Sequence, residues 1–442
     1  MFQNITSTIV VSNTIYFKGL GFVIACCLVF YGSVTVLVNV LSVNNSRQAV
    51  LTSANKSTSH EVISSESNVK SFAQPTVIKQ RRVFPQGGAS EVFNQPWSLP
   101  YRYAYKTIEE LEKLNKHLIF SNYTYSKGLG NLMFQMASLY SIATGHNAQI
   151  VIPQSNLLLR AFTLSEDIIV VEDDLMNEVL TSSKPFMHLR NCCQYKPVSG
   201  IPFNPKSPRK VFLGYFQNSR YFHPKYSNDL QHLFMFLPEV KEKASNFLRN
   251  CMFEYAIEMG HDTEGNPDDQ HILVDDNPLD SQTTVIGVHA RHGIDIRLNS
   301  RNTAHGHVSA PINYYQTTMQ LLKKQNPRSF FVICSDDMKW ARKTFTKKEF
   351  GPIYFCPGEW REVDMAVLSM SDWIIQSTGT FGWWASYLSQ YQNQIVYYSD
   401  WPRPNSLMDK MINKTEYFVD TWLGLPAQMS KLSSTTPDSN II

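Results

Sequence analysis

The last third of the chain contains short apolar runs at regular intervals, and helix-like stretches separate most of them. Apolar runs of four or five residues that end in polar turns are typical of buried strands. Because the intervening segments are long enough for crossover helices, we expect these strands to lie parallel in one sheet. The predicted strands are Val285–His289, Phe330–Cys334, Ile353–Cys356, Asp372–Gln376 and Gln394–Tyr398. The pattern predicts an α/β fold with a doubly wound sheet.

A second α/β unit precedes this one, over residues 116–260. The acidic segment His261–Gln282 has little apolar content and is interpreted as a surface connection between the two units. The predicted elements of the earlier unit are helix Asn131–Ala143, strands Gln149–Ile152 and Lys210–Tyr215, and helix Pro238–Met259.

An uncharged apolar run of 20 residues, Gly19–Val38, lies near the N-terminus. A helix of this length crosses a hydrocarbon core of about 30 Å, and the run is longer than the apolar region of a cleaved signal peptide. The short head favours a cytoplasmic N-terminus. The predicted organisation is a cytoplasmic tail 1–18, a transmembrane anchor 19–42, a stem 43–115, a first α/β domain 116–282, a second α/β domain 283–432 and a polar tail 433–442.

Sequons and cysteines agree with a luminal location for the chain beyond the anchor. Sites for N-glycosylation are predicted at Asn44, Asn55, Asn122 and Asn413. Cys334 and Cys356 end consecutive predicted strands, so we expect them to form a disulfide. Cys251 would then pair with Cys192 or Cys193. The net charge of +3, without any basic cluster, excludes nucleic acid as the expected partner.

Polar side chains follow the predicted strands at the carboxyl edge of the second sheet, where α/β folds bind ligands. A basic group comprises His289, Arg291 and His292, an acidic pair comprises Asp336 and Asp337, and a hydroxyl-rich segment spans 377–380. Arginine binds phosphate oxygens in a bidentate manner, and a helix start offers N–H donors. We therefore expect a nucleotide diphosphate to bind here, with the acidic pair accepting hydrogen bonds from base or ribose.

A metal-dependent site is the alternative for nucleotide-sugar binding. Glu172 and Asp174 form an acid-x-acid triplet after an apolar run, as in enzymes that hold a nucleotide sugar through a metal ion. Gly128 and Gly130 lack the third glycine of a dinucleotide-binding motif and are interpreted as a tight turn into a helix.

Three segments resemble the motifs of the α1,2-fucosyltransferase family, in their order and spacing. They are 128–135 (GLGNLMFQ), 288–293 (VHARHG) and 375–388 (IQSTGTFGWWASYL). The resemblance spans about residues 116–432. It implies a GT-B-like fold, in which two Rossmann-like domains face a cleft, and a single-pass type II protein of the Golgi membrane. It also implies inverting transfer of fucose from GDP-fucose to a glycoprotein or glycolipid glycan, at the 2-OH of a terminal galactose, without a metal or other cofactor.

The resemblance also assigns roles to residues. It assigns donor binding to residues of its motifs, and the strand-end residues described above complete the set. The predicted donor-binding residues are His289, Arg291, His292, Asp336, Asp364, Ser377, Thr378, Thr380 and Phe381. Arg291 is expected to stabilise the leaving GDP, and Asp295 is the candidate general base. His292 stands where the family has a second arginine, and the following acid is displaced by one position. An inactive glycan-binding paralogue is the remaining alternative.

Overall fold

The first domain is built on a parallel sheet that begins earlier in the chain than expected. The computed structural model describes residues 94–123, 128–204, 206–260, 283–293, 296 and 299–428. The strands of this sheet are β1 (Ala104–Tyr105), β2 (His117–Ser121), β3 (Ala148–Pro153), β4 (Ile169–Val171), β5 (Met187–His188) and β6 (Arg209–Leu213). Their spatial order is β1-β4-β3-β2-β6-β5, and all pairings are parallel.

Residues 94–115 belong to this folded domain, so the predicted stem boundary at residue 115 is wrong. Trp97 and Leu111 are buried, and β1 pairs with β4. The segment is mostly polar, so its few buried apolar residues give no clear sequence signal. Trp97, for example, contacts Arg160 and Trp360, which lie far along the chain.

The second domain is built on a six-stranded parallel sheet of doubly wound topology. Its strands are β7 (Thr284–Ala290), β8 (Ser329–Ser335), β9 (Ile353–Phe355), β10 (Trp373–Gln376), β11 (Ile395–Tyr398) and β12 (Leu423–Leu425). The spatial order is β12-β11-β10-β7-β8-β9. The chain runs outward from β7 to β9, returns to place β10 beside β7, and then runs outward to β12. The direction of winding therefore reverses between β7 and β10, as in nucleotide-binding sheets of this class.

Helices cover the sheets and bury the apolar strands on both faces, as a parallel sheet requires. The first domain contains α1 (Ile108–Glu112), α2 (Leu129–Gly145), α3 (Leu158–Ala161), α4 (Asp173–Ser182), α5 (Ser227–Leu233) and α6 (Pro238–Glu258). The second domain contains α7 (Ser300–His305), α8 (Ile312–Gln325), α9 (Met338–Thr344), α10 (Lys347–Phe350), α11 (Arg361–Ser369), α12 (Thr380–Tyr387), α13 (Leu407–Met411) and α14 (Lys414–Tyr417).

The architecture confirms the predicted α/β class with two parallel sheets. The five strands predicted for the second sheet agree with β7 to β11 to within a residue or two. The three-residue edge strand β12 was not predicted as a strand, because a run of Leu-Gly-Leu is too short to show a period. The predicted anchor 19–42 and the connection 261–282 lie outside the described residues. Among the helices described, none has both the length and the apolar character needed to span a bilayer.

Helices α2 and α12 pack against each other and join the two domains. Gly130 faces the backbone of Thr380 so closely that a Cβ atom at Gly130 would lie 2.5 Å from the Thr380 carbonyl carbon. Phe134 of α2 packs on Trp383 and Trp384 of α12, with ring centroids 4.4 and 5.2 Å apart. Gly130 therefore permits close approach between helices. Its predicted role in a tight turn is wrong, since it lies within the first turn of α2.

A buried ion pair makes a second link between the domains. Arg160 of α3 donates to Glu362 of α11 at 2.9 Å, and the two side chains are 7% and 0% exposed. The guanidinium also lies 5.3 Å from the ring centroid of Trp360. Charges removed from water this completely are tolerated only when they are paired.

The cysteines follow the prediction in part. Cys334 and Cys356 form the expected disulfide, with Cα atoms 4.9 Å apart, because β8 and β9 are neighbours in register. Cys192 and Cys193 bond to each other, whereas Cys251 is a free thiol. The predicted pairing of Cys251 is wrong: α6 buries this residue in the core, and burial raises the pKa of its thiol to about 12.

Asp364 of α11 lies beside the Cys334–Cys356 disulfide and is 7% exposed. Its Oδ1 accepts the N–H of Gly358 at 3.3 Å. Burial raises the pKa of the Asp364 carboxyl to about 6, and the Gly358 bond opposes this shift only in part. The carboxylate form therefore destabilises the fold at neutral pH.

We expect Glu362→Gln to lower the free energy of unfolding by about 3–5 kcal/mol, because it removes the carboxylate that contacts the buried Arg160 guanidinium at 2.9 Å. The exposed Arg209–Glu112 pair, at 3.1 Å, supplies a matched control. Glu112→Gln should cost less than about 1 kcal/mol. Urea unfolding measures both effects, and equal costs for the two variants would contradict the role assigned to Arg160.

Asp364→Asn should stabilise the protein in a pH-dependent way. Between the ordinary aspartate pKa of 3.8 and the folded value of about 6, the folded state binds more protons than the unfolded state. Stability conferred by the protonated carboxyl is thus lost as pH rises through this window. The advantage of the variant should be small at pH 4, grow towards pH 6 and then level off on the order of 2–3 kcal/mol. An advantage that does not change with pH would refute this assignment.

Candidate active site

The reversal of winding between β7 and β10 brings together two segments that the sequence singled out. The Ser377 N–H donates to the His289 carbonyl at 3.2 Å. The Arg291 N–H in turn donates to Ser377 Oγ at 3.0 Å. These bonds fix the loop after β7 against the loop after β10 at the carboxyl edge of the sheet, where a ligand of this fold class binds.

His289 supports the site from beneath. Its ring is 5% exposed, lies 3.1 Å from Ser377 Oγ through Nδ1, and would collide with any side chain at position 382. Burial, and then the charge of Arg291, lower the pKa of His289 to about 3. The imidazole is therefore neutral. The resemblance places His289 among the donor-binding residues, and in the structure it packs under the loop, against Phe381.

Arg291 supplies the positive charge of the site. Its guanidinium lies directly against Gly379, and a Cβ atom at that position would collide with Nη1. Gly379 also has a φ of 92°, a conformation that other residues rarely adopt. The glycine thus allows the arginine to lie across the start of α12, where the helix presents N–H groups.

The hydroxyl-bearing residues of the β10–α12 segment serve different purposes. Ser377 Oγ accepts the Arg291 N–H, as described above. Thr378 is 3% exposed, and among the described residues no group lies within hydrogen-bonding distance of its Oγ1. Thr380 Oγ1 donates to Asn131 Oδ1 at 2.7 Å. The Thr380 hydroxyl proton is therefore directed towards the first domain.

The acidic pair after β8 holds the loop that carries Arg291. Asp336 accepts the N–H groups of His292 and Gly293 through its two oxygens, at 2.7 and 2.9 Å. Asp337 caps α9 through Oδ1 and accepts from His292 Nδ1 at 2.8 Å through Oδ2. These bonds engage both carboxylates in positioning the loop. Their contact with base or ribose stays a prediction.

His292 is clamped between protein groups. Its ring stacks on Trp340 with centroids 4.3 Å apart and an interplanar angle of 5°, while Nδ1 faces Asp337. The residue that replaces a second arginine is thus fixed in one orientation, at the outer side of the loop.

The other predicted site residues are Asp364, Asp295, Glu172 and Asp174. Asp364 is in the core beside the disulfide, and Asp295 lies outside the described residues. Glu172 and Asp174 lie in the first domain, at the start of α4. Glu172 pairs with Lys106 at 3.2 Å, and Asp174 is exposed.

Two residues of the first domain without a predicted role, Asn131 and Gln217, connect to this site through hydrogen bonds. Asn131 lies in the first turn of α2, and Gln217 follows β6. Asn131 lies in a segment that carries the family resemblance, but the sequence does not show that its side chain contacts Thr380. Gln217 has no sequence signal, because only the fold brings it to Asn131.

The predicted glycosylation sites differ in access. Asn44 and Asn55 lie outside the described residues. Asn122 is half-buried, and its Oδ1 accepts from the Gly214 N–H and from Gln135, both at 3.2 Å. Asn413 is exposed at the start of α14. Asn413 is thus the more accessible of the two described sites.

Comparison of the whole chain with solved structures gives likenesses of low score. A complex of POFUT1 with GDP-fucose aligns with 62% of this chain and 94% of its own, with a TM-score of 0.36 and 11% identity. The NodZ α-1,6-fucosyltransferase, crystallised with GDP, aligns with 62% of this chain and 92% of its own, with a TM-score of 0.32 and 14% identity.

Comparison of the sequence is more informative. Residues 271–425 match the family model described as glycosyl transferase family 11. Galactoside 2-α-L-fucosyltransferase SEC1 of Bos taurus is 24% identical over 316 residues, which cover 70% of this chain and 74% of that protein. Galactoside α-(1,2)-fucosyltransferase 1 of Sus scrofa is 29% identical over 157 residues, or 35% of this chain and 41% of that protein. The matched family model includes β7, β10 and the start of α12. Together with these relatives it supports the α1,2-fucosyltransferase family and shows that the chain is a glycosyltransferase.

Proposed function

We propose that the protein transfers L-fucose from GDP-β-L-fucose to a glycan hydroxyl, the 2-OH of a terminal galactose, with inversion and without a metal ion. The observation that carries this proposal is the placement of Arg291 across the start of α12, at the point where the winding of the second sheet reverses. A diphosphate fits this arrangement, since it needs a bidentate cation and a set of N–H donors.

The chemistry requires stabilisation of the departing GDP. Negative charge grows on the diphosphate as the glycosidic bond breaks, and groups fixed in advance towards that charge lower the barrier. Arg291 is fixed by Ser377 and by its contact with Gly379. The neutral His289 beneath it adds no competing charge.

Inversion requires a general base on the face of the sugar opposite the leaving group. Asp295 stays the candidate for this role, as a prediction from the sequence. The proposed acceptor is supported by the names of the relatives, which are galactoside fucosyltransferases acting at the 2-position.

We also propose that the protein is a single-pass type II protein of the Golgi membrane, with the two α/β domains in the lumen. The uncharged run 19–38 and the sequon at the exposed Asn413 support this location. A disulfide between Cys334 and Cys356 is consistent with an oxidising compartment.

Arg291→Ala should lower kcat/KM for GDP-fucose by about 10²–10³, the loss typical for removal of one group that stabilises developing negative charge. Arg291→Lys should recover only part of this loss, because an ammonium group cannot reproduce the fork of donors. Transfer of labelled fucose to a galactose-terminated disaccharide measures both. Arg403→Ala, at an exposed arginine of the same domain, is the control and should retain normal activity. Near-normal turnover by Arg291→Ala would place the donor elsewhere.

Activity should persist in EDTA, because the charges that balance the diphosphate come from the protein. The same transfer assay, run with the full-length enzyme before and after chelation, tests this. Loss of activity that Mn²⁺ restores would favour the metal-dependent alternative. In that case Glu172→Gln and Asp174→Asn should abolish the Mn²⁺ response. Absence of any turnover by the wild type, with glycan binding retained, would favour the inactive paralogue.

A further inference from the structure

We propose that Gln217, a residue of the first domain, is a positioning residue for the donor site in the second domain, acting through Asn131 and Thr380. This inference rests on the proposed function, since it concerns the affinity of that site for GDP-fucose. The three residues form a continuous set of hydrogen bonds, which we call the Gln217–Asn131–Thr380 relay.

The relay meets at one oxygen atom. Asn131 Oδ1 accepts from Gln217 Nε2 at 2.8 Å and from Thr380 Oγ1 at 2.7 Å. Two donors at one amide oxygen fix the orientation of the Asn131 side chain. Gln217 is 8% exposed, so water competes little for these bonds.

The relay is anchored at its first-domain end. The Gln217 N–H donates to the Cys192 carbonyl at 2.9 Å, and the next residue, Asn218, donates to the Cys193 carbonyl at 3.0 Å. The segment that carries Gln217 is therefore held by the backbone of the Cys192–Cys193 disulfide. The Gln217 side chain leaves this anchored segment and reaches α2.

The relay ends at the part of the donor site that must be placed accurately. Thr380 is the first residue of α12 and follows Gly379, over which Arg291 lies. Gly130, adjacent to Asn131, brings α2 against the Thr380 backbone. Because its hydroxyl proton is donated to Asn131, Thr380 serves the site by holding the helix start. Loss of Gln217 would remove one of the hydrogen bonds that orient Asn131 and would weaken this hold.

The relay differs from the other bonds between the same segments. Ser138 of α2 is fully buried and donates through Oγ to the Phe216 carbonyl at 2.8 Å. This bond also joins α2 to the segment after β6, but it does not lead to Thr380. Ser138→Ala is therefore a matched control for the loss of one buried link without damage to the relay.

The test compares GDP binding by full-length wild type, Gln217→Leu, Gln217→Glu and Ser138→Ala, using isothermal titration calorimetry. Neither Gln217 variant can donate to Asn131 Oδ1, so each should raise the Kd for GDP about three- to tenfold, the value of one buried hydrogen bond. Ser138→Ala should leave the Kd unchanged although it lowers the melting temperature. In the transfer assay, KM for GDP-fucose should rise in the Gln217 variants while KM for the acceptor stays constant.

The outcomes separate this inference from the proposed function. If wild type binds GDP and both Gln217 variants bind it equally well, the relay has no role in donor affinity and the inference is overturned alone. If Ser138→Ala weakens GDP binding as much as they do, the effect is one of general stability and the inference also fails. If wild type binds no GDP, the proposed function fails and the inference with it. The near-isosteric Gln217→Glu keeps the test decisive if the leucine variant does not fold.

Discussion

The contact between α2 and α12 is the constraint on which the rest of the structure depends. The absence of a side chain at Gly130 lets two helix starts meet backbone to backbone, and the aromatic side chains of Phe134, Trp383 and Trp384 fill the space behind them. Since α12 begins at the edge where the donor is proposed to bind, the packing that unites the domains also sets the position of the site. Two of the three segments that carry the family resemblance, 128–135 and 375–388, thus form the two sides of one interface. Their tryptophans are core residues, because both are nearly fully buried.

The buried Arg160–Glu362 pair has a different relation to this interface. It lies at the start of α11, next to Asp364, and the charge of Glu362 contributes to the raised pKa of that carboxyl. Replacement of such a pair by apolar residues often leaves stability unchanged or improved, so the pair is weak evidence for a source of stability. The hydrophobic contact supplies most of the free energy, and the ion pair adds a polar link between α3 and α11.

The sequence predicts the second domain well because its signals are local. Strands β7, β8 and β10 are each predominantly apolar. Crossover connections between parallel strands are almost always right-handed, so few topologies are possible. The site residues at the strand ends follow from that topology. What the sequence does not show is how each polar group is used. Asp336 and Asp337 have the composition of a ligand-binding pair, yet both hold the Arg291 loop. Gln217 and Asn131 are 86 residues apart, and only the tertiary fold brings them together. The same limit explains the stem boundary, since Trp97 is buried against Trp360, far along the chain.

The electrostatics of the site follow from this division of roles. Carboxylates near a diphosphate would oppose its binding, but Asp336 is balanced by two backbone N–H groups and Asp337 by a helix start and an imidazole. Burial keeps His289 neutral, so the guanidinium of Arg291 and the N–H groups of α12 dominate the field at the carboxyl edge. The replacement of a second arginine by His292 becomes intelligible in these terms. The residue stacks on Trp340 and is directed at Asp337, and it therefore stabilises the loop on which the remaining arginine depends.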